Sequence, residues 1–313
     1  MTRVAFAAAH VAAGEDGEID WDATLAFRHH LWSHGLGVAE AMDTAQRGNE
    51  LDWPAARELI RRTAAEAEGR LAAGAATDHT QPRTLDEVRA AYEHQCEFVE
   101  GTGAQVVVMA SRALAAVATS PDDYREVYGA VLRQLERPAI LHWLGEMFDP
   151  ALADYWGSDP QQTLLAIVRD HADKVDGVKV SLLDAAREVA IRERLPEGVR
   201  LYTGDDFNYP ELIASGSDAL LGIFDPIAPA AAAALAALER GDRDEYDRIL
   251  APTVPLARKL FEPPTFNYKT GIVYLAWLNG HQEHFRMLGG METARSPEHL
   301  AEVKELAERA GLA

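Results

Sequence analysis

The sequence predicts an α/β fold, a (β/α)8 TIM barrel with a C-terminal helical extension. Three observations predict it. Short β-type runs alternate with long amphipathic stretches through the first three quarters of the chain, the first five runs start roughly 35 residues apart, and helical patterns alone follow. Strands separated by crossover helices are parallel, and eight such units within about 230 residues suit closure better than an open doubly wound sheet.

The runs are "RVAFAAAH" (3–10), "LGVAEAM" (36–42), "RLAAGAAT" (70–77), "AQVVVMA" (104–110), "AILHWL" (139–144), "DGVKVS" (176–181), "VRLYTG" (199–204) and "DALLGIF" (218–224). Between them, 22–34, 53–68, 83–100, 121–136, 160–173 and 183–194 read as amphipathic helices. From about residue 240 the chain reads "DRDEYDRILAPTVPLARKLF", "NYKTGIVYLAWLNG" and "SPEHLAEVKELAERAG" as helices, with Ser296 as N-cap, Pro297 at N1 and a glycine stop. No Gly/Ser linker precedes them, so the expected organisation is a barrel over 1–240 and a packed extension over 241–313.

The 313 residues are 48% hydrophobic and carry a formal net charge of −20. That charge repels phosphate, so neither nucleic acid nor an anionic membrane is an expected partner. The N-terminal apolar run is short and soon followed by acids, which reads as a strand and not a signal peptide. The longest later run contains two prolines and is too short to span a bilayer, so a cytoplasmic protein is expected. The single cysteine, Cys96, excludes an internal disulfide and a cysteine zinc cluster, and reads as a small packed residue.

The chemistry centres on "KVDGVKVSLLD" (174–184). Side chains alternate along a strand, so Val178 and Val180 take the face packed under helices while Lys179 points into the barrel. A desolvated lysine has its pKa depressed, which makes it a candidate nucleophile toward a carbonyl. The alternative is a snorkelling lysine paired with Asp205 or Asp206.

The chain resembles the dihydrodipicolinate synthase and N-acetylneuraminate lyase family of class I aldolases over nearly its whole length. "DGEIDWDATLAF" follows the family's acidic turn and first helix, "GVKVS" sits where the family has "GiKds", "LYTGDD" matches "vlsGdD", "SGSDALLGIFDPIAP" matches "GadG.is...n..P", and "FNYKTGIVYLAWLNG" matches ".vKaal...G". The resemblance implies Lys179 as the imine-forming residue, no metal or cofactor, and a homo-oligomer, dimer or tetramer.

Departures fall on the substrate loops. The family's "GTTGE" is "DTAQR" here (43–47), which keeps Thr44 beside Asp43 but loses the second threonine and leaves pyruvate as bound fragment an open matter. "PAILHWLGE" aligns with "P.ilYN.P" and puts His142 where the family has tyrosine, a group that exchanges protons readily near neutral pH. Ser111 and Arg112 replace the tyrosine region after the fourth strand, as candidates for holding substrate carboxylate or hydroxyls. After the seventh strand, Gly204 would let a ligand approach the backbone, and Asp205 and Asp206 would bind hydroxyls or orient the lysine; helix capping by Asp206 is the alternative.

The resulting expectation is a lyase or aldolase acting on a small keto acid or keto-sugar derivative in carbohydrate catabolism, with Lys179, His142 and Thr44 catalytic. Two other readings remain open. One is a divalent-metal isomerase or hydrolase using His10, Glu40, His142 and Asp205, with His10 lining the barrel mouth; the other is a binding barrel that has lost its chemistry.

Overall fold

The computed structural model describes residues 3–42, 46–47 and 50–312. Eight parallel strands close into a barrel in sequence order: β1 Ala5–Ala8, β2 Gly37–Glu40, β3 Leu71–Ala75, β4 Gln105–Val108, β5 Ala139–Leu144, β6 Val175–Ser181, β7 Arg200–Thr203 and β8 Asp218–Leu221, with β8 pairing back to β1. Every predicted strand is present, and β5 has the predicted bounds. Most of the others end earlier than the apolar runs suggest, because the last residues of each run leave the ladder to form the loops at the mouth.

The crossovers are α1 Trp21–Ser33, α2 Trp53–Ala65, α3 Leu85–Gly101, α4 Arg112–Val117 with α5 Pro121–Gln134, α6 Pro160–Asp170, α7 Ala185–Arg192 and α8 Tyr209–Ala214. Asp20, Asp52 and Thr84 accept N-terminal amide hydrogens of α1, α2 and α3, satisfying donors that the helices themselves cannot. After β8 come α9 Ala228–Glu239, α10 Arg243–Leu250, α11 Thr253–Leu260, α12 Tyr268–Leu278 and α13 Pro297–Arg309. The stretch 242–261, read as one helix, is two: Pro252 cannot donate to a continuing helix, and the chain restarts at Thr253. Ser296 caps α13 as predicted, accepting the His299 amide at 3.2 Å.

The alternation along the strands divides the core in two. Val38, Val106, Val108, Leu141, Val178, Val180 and Leu201 join the large cluster between sheet and helices. Phe6, Ala8, Ala39, Ala72, Val107, Met109, Ile140, Tyr202 and Leu220 form a separate cluster inside the barrel. Cys96 lies fully buried on α3, where burial pushes its thiol well up and leaves it a packing residue.

Among the described residues no helix is long and apolar enough to cross a membrane.

Candidate functional site

Strand register puts the two main candidates side by side. His142 on β5 pairs with Lys179 on β6, and Leu144 with Ser181 one pleat further toward the mouth. Lys179 is 7% exposed and His142 is fully buried. With Val178 and Val180 in the outer core, Lys179 takes the inner face that parity predicts, and it borders a small cavity with Ala8, Met42, Ser181, Asp206, Phe261 and Tyr268. The His142 Nε2 lies 3.0 Å from the Ser181 hydroxyl, so β6 contributes both the lysine and the partner of the histidine. Ser181 shares a face with Lys179 two residues away, which was the signal in the sequence that could have singled it out.

The two adjacent aspartates have opposite fates. Asp205 is consumed by its own turn: Oδ1 accepts the amides of Phe207 (2.9 Å) and Asn208 (3.0 Å), and Oδ2 accepts the Asn208 side chain at 2.8 Å. Asp205 thus holds the turn that leads into α8, and Asp206 does not cap that helix. Asp206 points into the lysine cavity, and its Oδ1 accepts the Ile223 amide at 2.8 Å. Burial pushes the Asp206 carboxyl up to about 7, against the opposing pull of that amide, Lys179 and Lys269.

Gly204 has a different purpose from the one expected. A Cβ there would lie 2.2 Å from Ser181 Oγ, 2.8 Å from the Val180 carbonyl and 3.0 Å from Lys179 Cε. The glycine clears space for the side chains of β6. Gly204→Ala should destabilise the fold by about 1–3 kcal/mol and slow any chemistry at Lys179 as well. Denaturant unfolding alongside activity checks this; an alanine variant normal in both would remove the packing argument.

Behind β7, Glu188 of α7 is buried and accepts the hydroxyls of Thr203 (2.9 Å) and Ser217 (3.0 Å). Burial raises its carboxyl to about 8 despite those bonds, and Asp205 adds to the rise. A carboxyl raised on folding stabilises fully below its unfolded value near 4.5, and that contribution is lost as pH climbs through about 8. Glu188→Gln should flatten the fall of stability between those pH values, leaving the variant relatively more stable than the parent at pH 9. Parallel curves for the two proteins in urea melts across pH 5–9 would reject the assignment.

Ser111 does not face a ligand freely. Its hydroxyl caps α4 by accepting the Leu114 amide at 3.0 Å and lies 2.6 Å from the Thr77 hydroxyl. Arg112 opens α4 and pairs with Asp149 across a cleft of about 600 Å³ above the ends of β3, β4 and β5. Residues 112–117 form this short helix, and Ser111 is its cap. Asp43 and Thr44 lie outside the described residues.

The four residues of the metal reading are held apart by other partners. His10 lies against Phe27 with its Nδ1 3.0 Å from Asp225, so it turns away from the barrel mouth. Glu40 faces outward and chelates Arg28, Asp205 holds its turn, and His142 meets Ser181. Among the described residues no group of three or more histidine, cysteine or acidic side chains is placed to hold a metal ion.

Sequence reasoning missed a second buried lysine. Lys269 on α12 donates to the Ala8 carbonyl at 2.5 Å and lies 4.0 Å from Asp225. Burial lowers its ammonium to about 8 in spite of that carboxylate. The sequence placed it in a helix, and only the docking of α12 over the end of β1 buries it.

A closed barrel of eight parallel strands with intervening helices is the (β/α)8 TIM-barrel architecture. The chain matches, over residues 1–313, the model of the family described as "Protein of unknown function (DUF993)", and it belongs to that family. No curated protein matches the sequence. Among solved structures, dihydrodipicolinate synthase from Aquifex aeolicus superposes with a TM-score of 0.77 at 17% identity, covering 99% of this chain and 98% of that one. A prophage protein of the dihydrodipicolinic acid synthase family from E. coli K12, in complex with pyruvate, gives 0.77 at 14% identity with both chains fully covered. The chloride-inhibited dihydrodipicolinate synthase from Acinetobacter baumannii complexed with pyruvate gives 0.73 at 15%, again over both whole chains. The resemblance found in the sequence is borne out in the fold.

Proposed function

We propose that this protein is a cofactor-independent class I lyase or aldolase acting on a small keto acid or keto-sugar derivative through an imine on Lys179. The observation that carries the reading is the placement of Lys179: inward, nearly buried at the mouth of β6, level with His142 and facing Asp206. In the reaction, the neutral amine adds to the substrate carbonyl and water leaves, forming a C=N bond. The protonated imine then accepts the electron pair of the adjacent carbon–carbon bond on cleavage, or supplies it as an enamine on condensation.

Protons are handled by two groups beside the amine. His142, held by Ser181, is the acid/base, and Asp206 at about 7 exchanges a proton next to the amine. Thr44 and Asp43, which align in sequence with the loop where the resembling family binds the keto-acid carboxylate, are the candidates for that contact. Gly204 leaves room for the lysine side chain, while Asp205, spent on its turn, takes no part. A cytoplasmic location and a homo-oligomeric state belong to the same proposal.

Borohydride reduction in the presence of a keto-acid panel, followed by intact mass and peptide mapping, tests it. A reduced adduct on Lys179 is expected, with a mass that identifies the carbonyl fragment. Adducts spread over surface lysines, or none at all, would remove the imine mechanism.

A further inference from the structure

Resting on the imine reading of Lys179, we propose that the substrate carries a bulky apolar body, aromatic or branched hydrocarbon, and not a polyhydroxylated chain. The cleft of about 600 Å³ beside the lysine cavity is the natural place for that body, because Leu144 and Phe148 border both spaces. Its volume lies within the range of small-molecule sites.

The lining decides the chemistry. Met109, Ala110, Leu144, Phe148, Leu152 and Phe266 present hydrocarbon to the cleft. Several of the polar groups on its wall are already engaged. The Arg47 guanidinium is held by both Asp78 oxygens at 2.9 Å and by the Gly74 carbonyl at 2.8 Å. Ser111 is tied to Leu114 and Thr77, and Arg112 to Asp149. The remaining polarity comes largely from one segment, 80–83. Hydroxyls entering such a cleft would give up water with few partners in return, whereas a hydrocarbon body loses nothing and buries area. Asp205, read from the sequence as a hydroxyl-binding candidate, has both oxygens engaged by its own turn. Arg83, exposed on the cleft wall, suits a single polar or anionic terminus beyond the apolar body.

The test compares ligands sharing one headgroup. Borohydride trapping on the full-length protein is run at limiting concentrations of pyruvate, 4-phenyl-2-oxobutyrate and 2-keto-3-deoxygluconate. The phenyl compound should be trapped at least ~10-fold more than the sugar acid, within the range by which a hydrophobic pocket distinguishes added hydroxyls. Ala113→Trp, which fills the cleft wall on α4, should lower the ratio of phenyl-compound trapping to pyruvate trapping about fivefold. Sugar-acid trapping equal to or above that of the phenyl compound overturns the proposal.

Calorimetry with 4-phenylbutyrate and gluconate separates this inference from the imine reading, since neither probe has a carbonyl that could form an imine. Failure of pyruvate to trap on Lys179 removes the imine reading alone, and tighter binding of 4-phenylbutyrate than gluconate upholds the apolar class even then. Equal or weaker binding of 4-phenylbutyrate overturns it.

Discussion

Lys179→Ala and Lys179→Arg should both lose turnover by at least about 10⁴-fold, the scale at which enzymes lose a covalent nucleophile. The pair is informative because arginine keeps the cation facing Asp206 while its guanidinium forms no imine with a carbonyl. If the lysine served only as a charge partner, arginine would restore most of the rate. The alanine variant has a second expected signature. Lys179 is one of the charges opposing the rise of Asp206, so its removal should push that carboxyl further above about 7. NMR titration of the Asp206 carboxyl in the two variants checks this. An arginine variant within tenfold of the parent in kcat, or an unmoved Asp206 in the alanine variant, would contradict the arrangement described for the site.

Arg28→Ala should cost about 3–5 kcal/mol, a large part of the roughly 5–15 kcal/mol that holds a folded domain together. The guanidinium is fully buried and grips Glu40 through two parallel bonds of 2.9 Å each. It also reaches the Thr24 and His10 carbonyls, and so fixes α1 to the ends of β1 and β2. Burial pushes the Glu40 carboxyl up, but Arg28, the Thr63 hydroxyl and the Ala41 amide outweigh it and hold the group below its ordinary value. Its contribution to stability is present above the unfolded value and disappears as pH falls through the folded one.

Removing the arginine alone leaves a dry carboxylate without its cation. Replacing both residues, as Arg28→Met with Glu40→Leu, removes the charge and the partner together and should recover most of the loss. Denaturant midpoints of the single and double variants give the comparison. A double variant as unstable as Arg28→Ala would show that packing, not the uncompensated charge, carries the effect.

The strand-and-helix order was legible because each strand is short, β-branched or alanine-rich and followed by a helix whose apolar residues recur at helical spacing. Lys179 was legible for a related reason: a charge between two valines on a period-two element must face the other way. His142 followed from the same parity on β5, and register then placed the two level.

What the sequence withheld were roles decided by a single turn. Asp205 and Asp206 are chemically identical neighbours, and only the path of the chain at 204–208 makes one the holder of its turn and the other a cavity wall. Gly204 announced a close approach without saying whose. Ser111 was read as a candidate ligand, and only the formation of α4 makes it a helix cap. His10 and Glu40 looked like metal ligands because their partners, Asp225 and Arg28, come from elements distant in sequence or on another face.

The walls of the lysine cavity carry a consequence for biosynthesis. Phe261 and Tyr268 close that cavity, and Lys269 fastens α12 to the Ala8 carbonyl. The last strand ends at Leu221, so all eight strands are synthesised before the residues that cover the amine. At about 5–20 residues per second, the ribosome needs roughly 2–10 s to add the stretch from Leu221 to Tyr268. During that interval a nascent barrel would leave the Lys179 amine uncovered. Covering of the amine is therefore among the last events in making this chain, and a chain terminated near residue 250 would hold every strand while lacking Phe261 and Tyr268.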